Sequence, residues 1–104
     1  MNNNFGISDK TFTMLINTLK LFKKDIDEVI IFGSRALKNF KKGSDIDIAI
    51  KGKNLDFNQI LKIRTILNQK ILSPYKFDVV HYDNIKNIEF KKQIDLYGKK
   101  IKLG

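Results

Sequence analysis

The chain has 104 residues, which suits a single domain over 1–104 and leaves no length for a second. It contains no cysteine, so disulfides and thiolate metal sites are excluded. Its net charge of +9 admits an acidic partner, a polyphosphate or nucleic acid. The basic residues, however, are 18 lysines against only Arg35 and Arg64, and arginine is the usual residue for bidentate phosphate and base contacts. Nucleic-acid binding is therefore the weaker reading, and lysines spread over solvated faces the plainer one. The opening MNNNFGISDK has no basic stretch followed by an apolar one. The longest apolar runs fall far short of the roughly 20 residues a membrane helix needs. The expectation is a soluble cytoplasmic protein with no membrane contact.

The first predicted element is a helix from about Ser8 to Lys24, with Ser8 as N-cap and Asp9 in the first turn. Phe12, Leu15, Ile16, Leu19 and Phe22 share one helical face. EVIIFG is a continuous apolar run closed by Gly33 and reads as a buried strand. Ser34 to Phe40 begins a short helix, and KKGS makes a turn. SDIDIAIKG alternates with the period of a strand. A second long helix covers about Asp56 to Leu72, with Phe57, Ile60, Leu61, Ile63, Leu67 and Ile71 as its apolar face and Ser73-Pro74 as its break. FDVVHY, residues 77–82, is a third strand. A last helix runs from about Asn84 to Tyr97, with Gly98 placed to end it, and IKL forms a short terminal strand. This order predicts an α+β domain with a single mixed β-sheet flanked by helices.

Two features of this pattern are not explained by packing. Asp45 and Asp47 lie two residues apart on a strand, so they point to one face about 6.6 Å apart along the chain. Ile46, Ile48 and Ile50 point the other way. Carboxylates so spaced can share a divalent cation such as Mg²⁺, which takes oxygen ligands from carboxylates, phosphates and water. The plain alternative is the wet face of a half-exposed sheet. Asp78 interrupts the apolar strand FDVV, and if that strand neighbours the first it brings a third carboxylate. Three carboxylates on one face can hold two cations about 3.5–4 Å apart, which supports in-line phosphoryl or nucleotidyl transfer. The second feature is Gly33-Ser34, between a buried strand and a helix start. Glycine there allows close backbone approach, and a helix start favours an anion. Arg35 adds a fixed positive charge suited to phosphate. No Walker A pattern occurs.

The run G-S-R-A, the D-I-D that follows it, and the distant strand aspartate together resemble the nucleotidyltransferase core of the DNA polymerase β superfamily. The pattern is most similar to its minimal nucleotidyltransferase group, and the resemblance spans nearly the whole chain. It implies that Gly33 and Ser34, with Arg35 and Ser44 beside them, bind the nucleotide. It implies that Asp45, Asp47 and Asp78 are catalytic and hold two Mg²⁺ ions, with ATP as substrate. It also implies a partner, a HEPN-domain ribonuclease toxin, with this chain as antitoxin transferring AMP to a toxin tyrosine. The alternatives are an antitoxin that acts by binding alone and an enzyme acting on a small hydroxylated substrate. One departure stands out: many relatives carry a glycine where this chain has Lys38, which predicts a differently shaped loop up to Gly43. His81 reads as structural, and Arg64 as a solvated residue or an ion-pair partner. Lys51 and Lys53 read as surface lysines within reach of a nucleotide, and Tyr97 as packing on the final strand.

Overall fold

The computed structural model describes residues 5–41, 43–71 and 74–104. Ser8 caps the first helix as its side chain suggests: its hydroxyl accepts the Thr11 N–H at 3.1 Å, and α1 spans Asp9–Lys20. Phe12, Leu15, Ile16 and Leu19 are buried along one side of α1. Phe22 lies beyond its end, where the chain tightens into a 3₁₀ turn at Lys23–Asp25, and packs half-buried against the core. The remaining elements are β1 (Glu28–Phe32), α2 (Ser34–Leu37), β2 (Ile46–Lys51), α3 (Phe57–Lys70), β3 (Phe77–His81), α4 (Ile88–Tyr97) and β4 (Lys99–Ile101).

The four strands form one sheet in the order β3-β2-β1-β4. β1 runs antiparallel to both β2 and β4, whereas β2 and β3 are parallel. A parallel pair requires a crossover, and α3 supplies it. The result is the mixed sheet with flanking helices that the element order predicts.

The two faces of this sheet differ, and the difference positions the site. On one face Val29, Ile31, Ile46, Ile48, Ile50, Phe77 and Val79 meet α1 and α3 in the main core. Ile46, Ile48 and Ile50 are fully buried there, each contributing about 1.5–3 kcal/mol. On the other face a smaller cluster joins Ile30 and Ala49 to Ile94, with Phe32, Val80, Tyr82, Ile85 and Phe90 at its margin. Only Ile94 of α4 is buried, so this helix covers the second face in part.

Side chains of α3 close the outer edge of β3. Asn68 donates to the Phe77 carbonyl at 2.9 Å and accepts the Phe77 N–H at 2.8 Å, while Arg64 donates to the Val79 carbonyl at 2.8 Å. Strand edges left open invite pairing with other chains, and this one is covered. Arg64 is exposed over much of its length, as one sequence reading expects, but its guanidinium is committed to this edge.

Several boundaries differ from the sequence expectation. α3 begins with a reciprocal capping box between Asp56 and Gln59, and Phe57 in its first turn is 69% exposed rather than on the apolar face. Ile71 has already left helical geometry. Leu72 and Ser73 of the expected helix end and break, and Lys42 of the expected KKGS turn, lie outside the described residues. Tyr82–Asn84 is a 3₁₀ turn, not the start of the last helix. Asp83 accepts the Gly52 N–H there at 2.9 Å, and α4 starts later, where Asn87 accepts the Phe90 N–H at 3.0 Å. Gly98 ends α4 without left-handed backbone; a side chain there would collide with the Ile94 carbonyl and with Ile30. No helix among the described residues is long and apolar enough to cross a membrane.

Candidate functional site

The alternation of β2 that buries its isoleucines turns Asp47 to the thinly covered face. In register, Asp47 lies opposite Phe32 of β1 on one side and Asp78 of β3 on the other. Asp47 and Asp78 are therefore direct neighbours on strands about 4.8 Å apart. Asp45 falls just before β2, which starts at Ile46, so it sits at the mouth of the strand rather than within it. Asp45 and Asp78 are exposed, and Asp47 is half-buried.

The electrostatics follow from this placement. The Asp47 carboxyl is pushed up from 3.8 to about 6, first by burial, then by the Asp78 and Asp45 carboxylates, with Arg35 opposing. Among the described residues the ion pairs join Lys51 and Lys100 to Glu28 and His81 to Asp83, and none neutralises these three aspartates. The donor set, carboxylate oxygens alone, is the chemistry that suits a hard divalent cation. As the side chains stand, no group of three acidic, histidine or cysteine side chains among the described residues converges into a closed metal cage.

Gly33 connects this carboxylate to the turn after β1. Its backbone, at φ 74 and ψ −152, lies in a region open essentially to glycine alone. A side chain at Gly33 would also collide with Asp47 Oδ2. The glycine thus has two reasons to be there, its backbone angle and the carboxylate against it. Ser34 follows as the first residue of α2 and is half-buried.

Arg35 corrects the sequence reading. It is 1% exposed, so its charge is not presented to a phosphate. Its guanidinium donates to the Phe5 carbonyl at 2.8 Å and to the Ser44 carbonyl at 2.8 and 3.2 Å. The rings of Phe40 and Tyr75 lie on it at 4.8 and 4.5 Å. Arg35 therefore ties together the N-terminal segment, the β1–β2 loop that carries Asp45, and the approach to β3. Ser44 is engaged in the same loop: its hydroxyl oxygen accepts the Lys41 N–H at 2.8 Å. Lys38 adopts φ 60 and ψ 25, the left-handed conformation that glycine adopts at least cost. The chain thus keeps a glycine-like backbone at this position without the glycine.

The other candidates have structural partners. His81 Nε2 meets the Gly52 carbonyl at 2.8 Å, fixing the end of β2. Lys51 pairs with Glu28 and lies 4.4 Å from the Tyr82 ring, and Lys53 is exposed. Tyr97 is 53% exposed beside a cleft of about 210 Å³ that also meets Phe32, Gly33 and Phe90. This cleft was not legible in the sequence, although Phe90 and Tyr97 both belong to α4, two turns apart.

A mixed sheet bearing a Gly-Ser turn and neighbouring strand aspartates is the architecture of a nucleotidyltransferase. The family model for polymerase beta nucleotidyltransferases matches residues 14–103, and the chain belongs to that family. Among solved structures, a mutant of the toxin–antitoxin MntA–HpeT is similar, with TM-score 0.70 and 21% identity over 88% of this chain and 71% of that one. The toxin–antitoxin MntA–HepT gives TM-score 0.66 and 19% identity over 89% and 70%. A toxin–antitoxin with AMP-PNP gives TM-score 0.65 and 22% identity over 82% and 70%. At these identities the likeness is one of fold. No curated protein matches the chain.

Proposed function

We propose that this chain is an antitoxin that transfers AMP from ATP to a tyrosine of a HEPN-domain ribonuclease toxin. The observation that carries the reading is the pairing of Asp47 with Asp78 beside Gly33, on the one sheet face left partly open. Membership of the nucleotidyltransferase family and the toxin–antitoxin structures of like fold, one with AMP-PNP, support it. Asp45, Asp47 and Asp78 are the groups that would hold Mg²⁺, which when bound neutralises phosphate charge and activates a hydroxyl at neutral pH. Gly33 and Ser34 would receive the phosphates at the start of α2.

In this reading Asp78, the outermost carboxylate, faces the acceptor. The acceptor oxygen bonds to the α-phosphorus, the bond from that phosphorus to the bridging oxygen breaks, and pyrophosphate leaves. The hydroxyl proton passes to Asp78 or to water. Arg35 acts at one remove, by holding the loop of Asp45 in place. Incubating the chain with its toxin, ATP and Mg²⁺ and weighing the intact toxin tests the proposal. One or more AMP-sized gains support it; an unchanged mass with a neutralised toxin rejects it. That second outcome would favour neutralisation by binding alone, for which the exposed Ile88 and Leu96 of α4 offer a surface.

A further inference from the structure

We propose that the outer edge of β4, with the groove at its end, is a docking site for an acidic, extended segment of a partner protein. The strand order puts β4 at the opposite border of the sheet from β3 and Asp78, so this surface is separate from the aspartates and independent of the nucleotidyl-transfer reading. Side chains of α3 close the β3 edge, whereas β4 pairs with β1 alone among the described residues. An edge of this kind presents free N–H and C=O groups to an incoming strand. Beyond the Val29–Ile101 pair the two strands no longer pair, and a groove of about 420 Å³ lies between residues 26–29 and 100–104. Its floor is aliphatic: Ile26, Val29, Ile101 and Leu103, all packed on the main core and so held in place.

Charge selects the occupant. Lys99, Lys100 and Lys102 are exposed along the edge, and Lys23 lines the groove. Lys23 donates to the Gly104 carbonyl, and Lys100 pairs with Glu28, both at 2.9 Å. Asp27 and Glu28 also line the groove, but Glu28 is neutralised by Lys51 and Lys100. Lys99 and Lys102 have no acidic partner among the described residues. Lysines on an edge strand repel a second copy of the same edge, and a net charge of +9 adds to that repulsion. They attract carboxylates. An extended segment sends successive side chains to opposite sides. One that alternates aliphatic and acidic residues can seat an aliphatic side chain in the groove, set its carboxylates against the lysines and continue the sheet with its backbone. Nucleic acid fits less well. The groove has no aromatic ring for a base to stack on, Arg35 is buried in the interior and Arg64 is held at the β3 edge.

The test titrates the isotope-labelled chain with an acetylated peptide of alternating glutamate and isoleucine, its lysine–isoleucine counterpart and a short single-stranded RNA, followed by amide shifts and amide exchange. The acidic peptide should shift the amides of residues 26–29 and 99–103 and slow exchange along β4, with affinity falling as salt is raised. Lys99→Glu combined with Lys102→Glu changes exposed side chains only, so circular dichroism should match wild type. That variant should bind the acidic peptide at least about 10-fold more weakly. Leu103→Ala should weaken it about 5-fold and leave its salt dependence unchanged. Asp78→Asn should bind it as wild type does, which keeps this test apart from that of nucleotidyl transfer. The proposal is overturned if the acidic peptide does not bind, if its shifts fall outside the edge and groove, or if the lysine–isoleucine peptide binds equally well. It is also overturned if the double charge reversal leaves the affinity intact, or if the RNA binds this edge more tightly than the acidic peptide.

Discussion

Replacing Asp47 by asparagine should make the metal-free protein more stable while removing its proposed activity. In the folded chain the Asp47 carboxyl sits at about 6 rather than 3.8, because burial and the Asp78 and Asp45 carboxylates disfavour its charge. At about 1.4 kcal/mol per pH unit this displacement corresponds to roughly 3 kcal/mol of destabilisation above both values. Asp47 is only half-buried, and solvent screening reduces the figure to about 1–2 kcal/mol. The sign follows from proton uptake. Above about 6 both folded and unfolded chains carry the charge, and the folded chain bears the full penalty. As pH falls from about 6 towards 3.8, the folded chain takes up a proton before the unfolded chain does, and the penalty is relieved. Asp47→Asn should therefore raise the melting temperature at about pH 7.5 in EDTA by several degrees, at roughly 4–8 °C per kcal/mol for a domain of this size. The advantage should shrink as pH approaches about 4. Thermal unfolding at both pH values checks this. A variant equal to or less stable than wild type at the higher pH would refute the electrostatic reasoning.

Other substitutions probe the surrounding turn and edge. Gly33→Ala should cost about 1–3 kcal/mol from backbone strain, with a further loss from collision with Asp47, and should abolish ATP binding measured by calorimetry. Adding Asp47→Ala should recover the collision part of the loss and leave the strain. Lys38→Gly removes a left-handed penalty of about 1–2 kcal/mol against a glycine entropy cost of about 0.5–1 kcal/mol. A net gain of about 0.5–1 kcal/mol in urea unfolding is the expected result. Asn68→Ala leaves the Phe77 backbone without its side-chain partners and should cost about 1–3 kcal/mol, with increased self-association by light scattering.

Much of the fold was legible because its hydrophobic periods are clean. The isoleucines of β2 and the Phe12–Leu19 face of α1 follow the strand and helix periods, and both are buried as read. The placement of Asp47 and Asp78 on one sheet face was legible for the same reason, once the two strands became neighbours. What the sequence did not show depends on tertiary neighbours. Arg35 looks like a phosphate ligand in a local motif, yet its partners Phe5, Phe40, Ser44 and Tyr75 are drawn from separate parts of the chain. The last helix starts late because Asp83 is drawn to the backbone of Gly52, a contact no local propensity reports. The exposure of Phe57 and Tyr97 likewise depends on how far their helices extend over the sheet.

Catalysis and mere occlusion separate most directly at Asp78, which is exposed and can change without disturbing the core. The decisive measurement follows transfer of α-phosphate-labelled ATP to the toxin together with the toxin's remaining ribonuclease activity, for wild type and Asp78→Asn. The account predicts label on the toxin and loss of nuclease activity with wild type. With Asp78→Asn it predicts no label and an active nuclease, although the two proteins bind the toxin alike. Equal silencing of the nuclease by Asp78→Asn, without label, would contradict it.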